Sequence, residues 1–145
     1  MINHPPSLAS AMTPFPYSIA LDATLEDAEK LMQEHEIHHL PVTEEHEVVG
    51  IITQRDIVAS KARRKSRGRS TKLAVSDIYV PEVYTVDLNE PLRNVLLEMS
   101  ARHIGSAVVM RHGNLAGVFT SVDACQCFAD FIDEVFPDPG DDQAA

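Results

Sequence analysis

Gly50-Ile51-Ile52-Thr53-Gln54-Arg55-Asp56 returns sixty-seven positions later as Gly117-Val118-Phe119-Thr120-Ser121-Val122-Asp123. The same step, without a gap, carries Pro14 onto Pro81, Tyr17 onto Tyr84, Leu21 onto Leu88, Leu25 onto Leu92, Met32 onto Met99, Ile37 onto Ile104 and Val42 onto Val109. With the Gly, Thr and Asp of the motif these make ten identities. Conservative pairs such as Ile19/Val86 and Val48/Leu115 keep the apolar pattern in phase, so one structural unit is used twice.

Working outward from the motif, the aliphatic run Val48 to Ile52 reads as a strand that gives way at Thr53 to a helix. That helix continues into a basic stretch until Gly68 breaks it. Before the strand, His38-His39-Leu40-Pro41-Val42 forms its hairpin partner across the acidic turn Thr43-Glu44-Glu45-His46. Further back, Thr24 is an N-cap with Asp27 three residues on, and Leu25, Ala28, Leu31 and Met32 keep the spacing of a half-buried helix ending near His35. A short strand at Tyr17-Ser18-Ile19 opens the unit. The second copy repeats the order: strand 83–86, helix 91–102, strands 106–110 and 115–120, helix 122–135. Pro91 suits a first helical turn, where its missing N–H has no intrahelical partner.

The expected fold is therefore α/β, two β-α-β-β-α repeats related by pseudo-two-fold symmetry. Residues 1–11 are a lead-in, 12–66 the first repeat, 67–78 a basic linker and second lead-in, 79–134 the second repeat, and 135–145 an acidic tail. Units of roughly sixty residues are marginal alone, so the two halves are expected to depend on each other.

The chain of 145 residues carries a net charge of −10, unevenly spread. Residues 61–72 hold seven of the twelve basic side chains, which leaves −17 on the remainder. So acidic a body repels polyanions at long range, and no aromatics are interleaved with the basic residues; both weigh against general nucleic-acid binding. The basic stretch reads as a solvated helix end or linker, as a clamp on phosphate or an acidic surface, or as a nucleic-acid contact, in descending order. No run is long enough to cross a membrane, and the first residues lack a secretion signal, so the expected location is the cytoplasm. Cys125 and Cys127 alone make no disulfide framework and are read as reduced helix thiols.

A strand ending in Thr, followed three residues later by a helical Asp, gathers a hydroxyl, free backbone N–H groups and a carboxylate. The amides and hydroxyl favour an anion such as phosphate, and a carboxylate suits the paired hydroxyls of a ribose. By itself T-x-x-D is ordinary helix capping. Two copies, each after Gly and two apolar residues, make the chain resemble a tandem pair of CBS (cystathionine beta-synthase) domains, a Bateman module. The resemblance covers about residues 8–134 and rests also on the segment Ile37 to Val42 and on the lead-in Ser76-Asp77-Ile78.

This resemblance implies a regulatory module that binds adenine nucleotides in two clefts between the paired repeats and has no chemistry of its own. Asp56 and Asp123 would hold ribose, and Thr53 and Thr120 would sit near phosphate. Ile37, His38, His39, Leu40 and Pro41 would line the base and phosphate region. Ile104, Gly105, Ser106 and Ala107 match that segment in the second repeat without a basic residue at the two histidine positions. Ser18 and Thr85 are further candidates for the base. Arg55 stands where the second copy has Val122, so the first site is expected to suit a more highly charged ligand.

The ligand expected is AMP, ADP or ATP, with S-adenosylmethionine and NAD sharing the same adenosine; no cofactor is required. A homodimer joined through helices is implied, with Leu25/Leu31 and Leu92/Leu96 as the faces to inspect, core packing being the alternative for these leucines, together with a regulated protein that the sequence does not name. The rival readings are an interaction adaptor with vestigial pockets and a nucleic-acid binder acting through 61–72. His35-Glu36-Ile37-His38-His39 matches H-E-x-x-H, but zinc chemistry needs one continuous helix there, and the helix is expected to end near His35. Phosphate-binding glycine loops and nucleophile elbows are absent from the sequence, so no enzyme activity is expected.

Overall fold

The computed structural model describes residues 4–14 and 17–140. The expectations placed on the first three residues and on the last five of the acidic tail lie outside these described residues. The chain forms two compact units, residues 16–83 and residues 84–145 together with 1–15.

In the first unit a three-stranded sheet has the order β2 (Ile19–Ala20), β3 (His39–Glu44), β4 (Glu47–Thr53); helix α2 (Leu25–His35) follows β2 and helix α3 (Gln54–Ser66) follows β4. β2 runs parallel to β3 across the α2 crossover, and β3 and β4 form the antiparallel hairpin. The second unit repeats this with β5 (Thr85–Asp87), α4 (Leu92–Arg102), β6 (Ser106–Arg111), β7 (Asn114–Thr120) and α5 (Ser121–Val135). Its sheet has one strand more, β1 (Thr13–Pro14), paired antiparallel with β7, and a one-turn helix α1 (Leu8–Ala11) precedes that strand. Two α/β repeats of β-α-β-β-α order are therefore what the chain forms. Short strands begin one or two residues later than the sequence pattern places them, and Pro91 is the N-cap of α4 and not its first helical residue.

Local chemistry explains these bounds. Thr24 and Asp27 form a reciprocal capping box that satisfies two otherwise orphaned N–H groups at the start of α2. The helix stops because Glu36 turns left-handed at φ 52°, and the N–H of Ile37 then reaches back to the carbonyl of Met32 at 3.0 Å. His103, Ile104 and Met99 repeat this ending, with φ 54° and 3.1 Å. This is the hydrogen-bonded left-handed stop that brings an apolar residue back onto the last turn, which accounts for the repeated Met and Ile. His35 is thus the last residue of α2 while His39 lies in β3, so the H-E-x-x-H residues do not share one helix.

Each unit has its own core. Ile19, Leu25, Met32, Leu40, Ile52 and Ile57 fill the first, and Val86, Leu92, Val95, Met99, Val109 and Phe119 fill the second. Leu25 and Leu92, read as dimer-face candidates, are core residues instead, because α2 and α4 turn them onto their sheets.

The lead-in segments complete the cores. Val75, in a single 3-10 turn at Val75–Asp77, is buried in the first core, and Leu8 is buried in the second. These two residues are sixty-seven apart. Just beyond them, Val80 bridges to Ile51 through a reciprocal backbone pair at 2.8 and 2.9 Å, and Thr13 is the register partner of Val118. Each unit therefore takes its lead-in from the chain ahead of the other repeat: 73–80 serves the first, 8–14 the second.

Candidate functional site

Thr53 and Thr120 end β4 and β7 and cap the helices that follow, each accepting the backbone N–H three residues on, at 3.1 Å from Asp56 and 3.3 Å from Asp123. The hairpin register sets His39 opposite Thr53 and Ser106 opposite Thr120. The carbonyls of His38 and Gly105 accept from the N–H groups of Gln54 and Ser121, each at 2.9 Å, so a residue of the H-H or G-S segment is tied to the helix start in both repeats.

The two carboxylates have different surroundings. Asp123 accepts from Thr120 N–H at 2.9 Å and Thr120 Oγ1 at 3.2 Å with one oxygen, and from Thr13 Oγ1 at 3.0 Å with the other. Its acceptor capacity is largely used within the unit. At Asp56 the equivalent of Thr13 is Val80, which has no hydroxyl, and among the described residues the Asp56 carboxylate has no hydrogen-bond partner. A half-buried carboxylate without a donor is ready to accept from the hydroxyls of a ligand.

Cavities divide the expected site residues into groups. Asp56 faces a cavity of about 400 Å³ with Arg63, Arg64, Arg67, Arg69 and Asp77. Asp123 faces one of about 440 Å³ with His4, Asp130, Phe131 and Glu134. A third, of about 580 Å³, is lined by Ile37, His38, Gln54 and Lys61, where His38 Nδ1 contacts Gln54 Oε1 and Lys61 pairs with Glu29. Ile37 and His38 thus line a different cavity from Asp56. Arg55 is exposed in the first turn of α3, and Thr85 is exposed on β5. Ser18 is half-buried just before β2, as are Ile104, beside the second core, and Ser106. Leu40 and Pro41 are buried in β3 and Ala107 in β6, where side-chain atoms have little solvent to share with a ligand.

The first-strand aromatics also recur as a pair. Tyr17 stacks on His35 with ring centroids 3.8 Å apart, and Arg102, sixty-seven residues beyond His35, lies over the Tyr84 ring at 5.1 Å. Burial raises the Tyr84 hydroxyl above its ordinary value, helped by Glu98 and Glu90 and opposed by Arg102. From sequence the basic stretch reads as a helix end, a phosphate clamp or a nucleic-acid contact, and none of these assigns its arginines to the cavity of Asp56, although the seven-residue spacing of Arg63 from Asp56 on one helix face is available.

Comparison with known proteins bears on this geometry. The family model for the CBS domain matches residues 8–63 and again 75–130. Over 115 residues, 78% of the chain, the sequence is 31% identical to L-aspartate semialdehyde sulfurtransferase of Methanocaldococcus jannaschii, and it spans only 21% of that protein's length. It is 26% identical over 112 residues to the CBS domain-containing protein YhcV of Bacillus subtilis, covering 77% of this chain and 78% of that one. Among solved structures, a CBS domain pair in complex with 5′-methylthioadenosine and S-adenosyl-L-methionine superposes with a TM-score of 0.73 at 26% identity, covering 88% of this chain and 98% of the other. The CBS domain of a bacterial CNNM/CorC family Mg²⁺ transporter in complex with ATP gives a TM-score of 0.68 at 28% identity, covering 85% and 87%.

Proposed function

The chain belongs to the CBS domain family, and we propose that it is a regulatory module that binds an adenosine-containing ligand, with Asp56 holding the ribose. The observation that carries this reading is the half-buried Asp56 carboxylate at the start of α3, unpartnered among the described residues and facing a cavity of about 400 Å³. Two relatives of more than 25% identity that hold adenosine compounds support the ligand class. Adenine nucleotides are the expected ligands, and S-adenosylmethionine and NAD offer the same ribose. Asp123, already engaged by Thr120 and Thr13, has to give up hydrogen bonds to do the same, so the second site is the weaker. Regulation then requires the ligand to favour one conformation or assembly over another. No bond-making role is assigned to any residue of the chain.

Thermal unfolding with AMP, ATP, S-adenosylmethionine and NAD tests the reading. Ligand at about one hundred times its dissociation constant adds about 2.7 kcal/mol, a rise of several degrees for a chain of this size. Asp56→Ala is expected to abolish the rise and Asp123→Ala to leave most of it. No rise with any of the four compounds would instead support an adaptor role.

The partner class follows from exposed apolar surface. Leu96 on α4 and Phe128 on α5 are 39% and 63% exposed and line one apolar recess together with Phe131, to which Ile132 adds exposed surface on the same helix. Helix α5 buries no residue within its own unit. Such a surface on a soluble chain marks association, and we assign it to a homodimer joined through helices. Phe128→Glu is expected to convert a dimer to a monomer in sedimentation equilibrium; a wild-type chain that sediments as a monomer at high concentration would remove the assignment.

A further inference from the structure

The cavities at Asp56 and Asp123 are built from equivalent positions but carry opposite charge. The sixty-seven-residue step takes Arg63 onto Asp130, Arg64 onto Phe131 and Arg67 onto Glu134. Both sets line their own cavity together with the T-x-x-D carboxylate. In the first repeat Arg63, Arg64, Arg67 and Arg69 outnumber Asp56 and Asp77, and the Asp77 carboxylate already accepts from Ala74 N–H at 2.9 Å. Among the described residues no carboxylate pairs with these four arginines; Arg64 donates to the Ser70 carbonyl at 3.4 Å. Four guanidinium groups against two carboxylates on one cavity leave a net positive charge there, and guanidinium forks suit the oxygens of a phosphate.

Their placement grades the anion. Arg63 and Arg67 follow Asp56 by seven and eleven residues. At 1.5 Å of rise per residue, Arg63 lies about 10 Å along the helix direction from Asp56. A single phosphate on the 5′ carbon of a ribose held at Asp56 stays close to the start of α3, whereas second and third phosphates extend toward the arginines. We propose that the first repeat's cavity selects a nucleoside polyphosphate, whose ribose hydroxyls meet Asp56 and whose terminal phosphates meet Arg63, Arg64 and Arg67, and that the acidic cavity of the second repeat excludes the same ligand. This rests on the ribose role of Asp56 proposed above and adds the charge class of the ligand.

Calorimetric titration of the full chain with AMP, ADP, ATP and inorganic tripolyphosphate provides the test. In the wild type and in Asp123→Ala, ATP is expected to bind about ten-fold or more tightly than AMP, as one or more charge-assisted contacts would give. The double variant Arg63→Asp/Arg67→Glu writes the second repeat's residues into the first; it is expected to erase that preference by weakening ATP much more than AMP. Both side chains are exposed, and Arg63→Gln/Arg67→Gln repeats the test without acid at a helix C-terminus. Equal affinity for ATP and AMP, or a preference that survives both double variants, overturns the inference while leaving the ribose reading intact. Tripolyphosphate or a short oligonucleotide that binds through the arginines whether or not Asp56 is present, with ATP no better, overturns the nucleoside assignment.

Discussion

Leu8→Ala is expected to lower the stability of the second unit by about 2–5 kcal/mol. Leu8 is only 1% exposed and belongs to a core with Val95, Val109 and Phe119, so its truncation leaves a cavity that a close-packed interior closes only in part. The residue lies far from this core in sequence, on a four-residue helix capped by Ser7, which accepts from Ser10 N–H at 3.1 Å. So short a helix has no stability of its own, and the buried leucine is what anchors the segment. The loss should appear in differential scanning calorimetry and in hydrogen exchange of β6 and β7, with β3 and β4 much less affected. Equal loss of protection in both units would show that the lead-in does not belong to one of them. Val75→Ala is the counterpart for the first unit, smaller in effect because less volume is removed.

Gly50→Ala should cost about 3 kcal/mol, at or above the upper part of the range for overpacking. A Cβ at Gly50 would collide with the Val80 carbonyl oxygen and lie 2.8 Å from Cε2 of the Tyr79 ring. The first obstacle is backbone, which cannot change rotamer. Moving it breaks the reciprocal pair between Ile51 and Val80. At Gly117 the same atom would collide with the Thr13 carbonyl oxygen and meet the Pro14 Cα at 3.1 Å. The glycine that opens each motif is therefore there to let the lead-in strand approach, and not for a ligand. Faster exchange at the Val80 and Ile51 amides in Gly50→Ala would report the displaced bridge; unchanged exchange with unchanged stability would contradict this role.

Much of this was legible from the repeat. The ten identities fix the phase, and residues that recur for packing or stopping reasons, Met32 with Ile37 and Met99 with Ile104, mark the same helix end twice. Hairpins and helices follow from aliphatic runs, the acidic turn and the Thr24 cap. The exchanged lead-ins were not legible. Leu8 and Val75 obey the sixty-seven-residue step, but they sit in Pro-, Ser- and Lys-containing stretches with no periodicity, and the pairings Thr13 with Val118 and Val80 with Ile51 reach far beyond any local pattern. Of the leucines read as either dimer faces or core, Leu25 and Leu92 are core and Leu31 packs against it, whereas Leu96 is 39% exposed; the sequence left that choice open because one apolar stripe serves either purpose.

At the site, the sequence set the two motifs apart by Arg55 against Val122 and by the two histidines against Gly105 and Ser106, but not by what holds each Asp. The difference comes from Thr13 against Val80, a lead-in position whose proximity to the motif only the fold supplies. The charge inversion was half visible, since Arg63 and Arg67 follow Asp56 at the spacing of one helix face while Asp130 and Glu134 follow Asp123. The sequence extended this helix into the basic stretch and offered phosphate contact as one reading of it, without tying it to Asp56; helix α3 runs to Ser66 and carries Arg63 and Arg64 to the cavity of Asp56.

An adenosine ligand is expected to bind at Asp56 in preference to Asp123. Titrating isotopically labelled chain with AMP while following backbone amide resonances tests it most directly, because the N–H groups of Thr53 to Asp56 and of Thr120 to Asp123 report the two helix starts separately. Saturable shifts centred on Thr53 to Asp56 are expected at AMP concentrations that leave Thr120 to Asp123 nearly unmoved, and they are expected to vanish in Asp56→Ala. Shifts centred on Thr120 to Asp123 alone, or none at either helix start at saturating AMP and ATP, would contradict it.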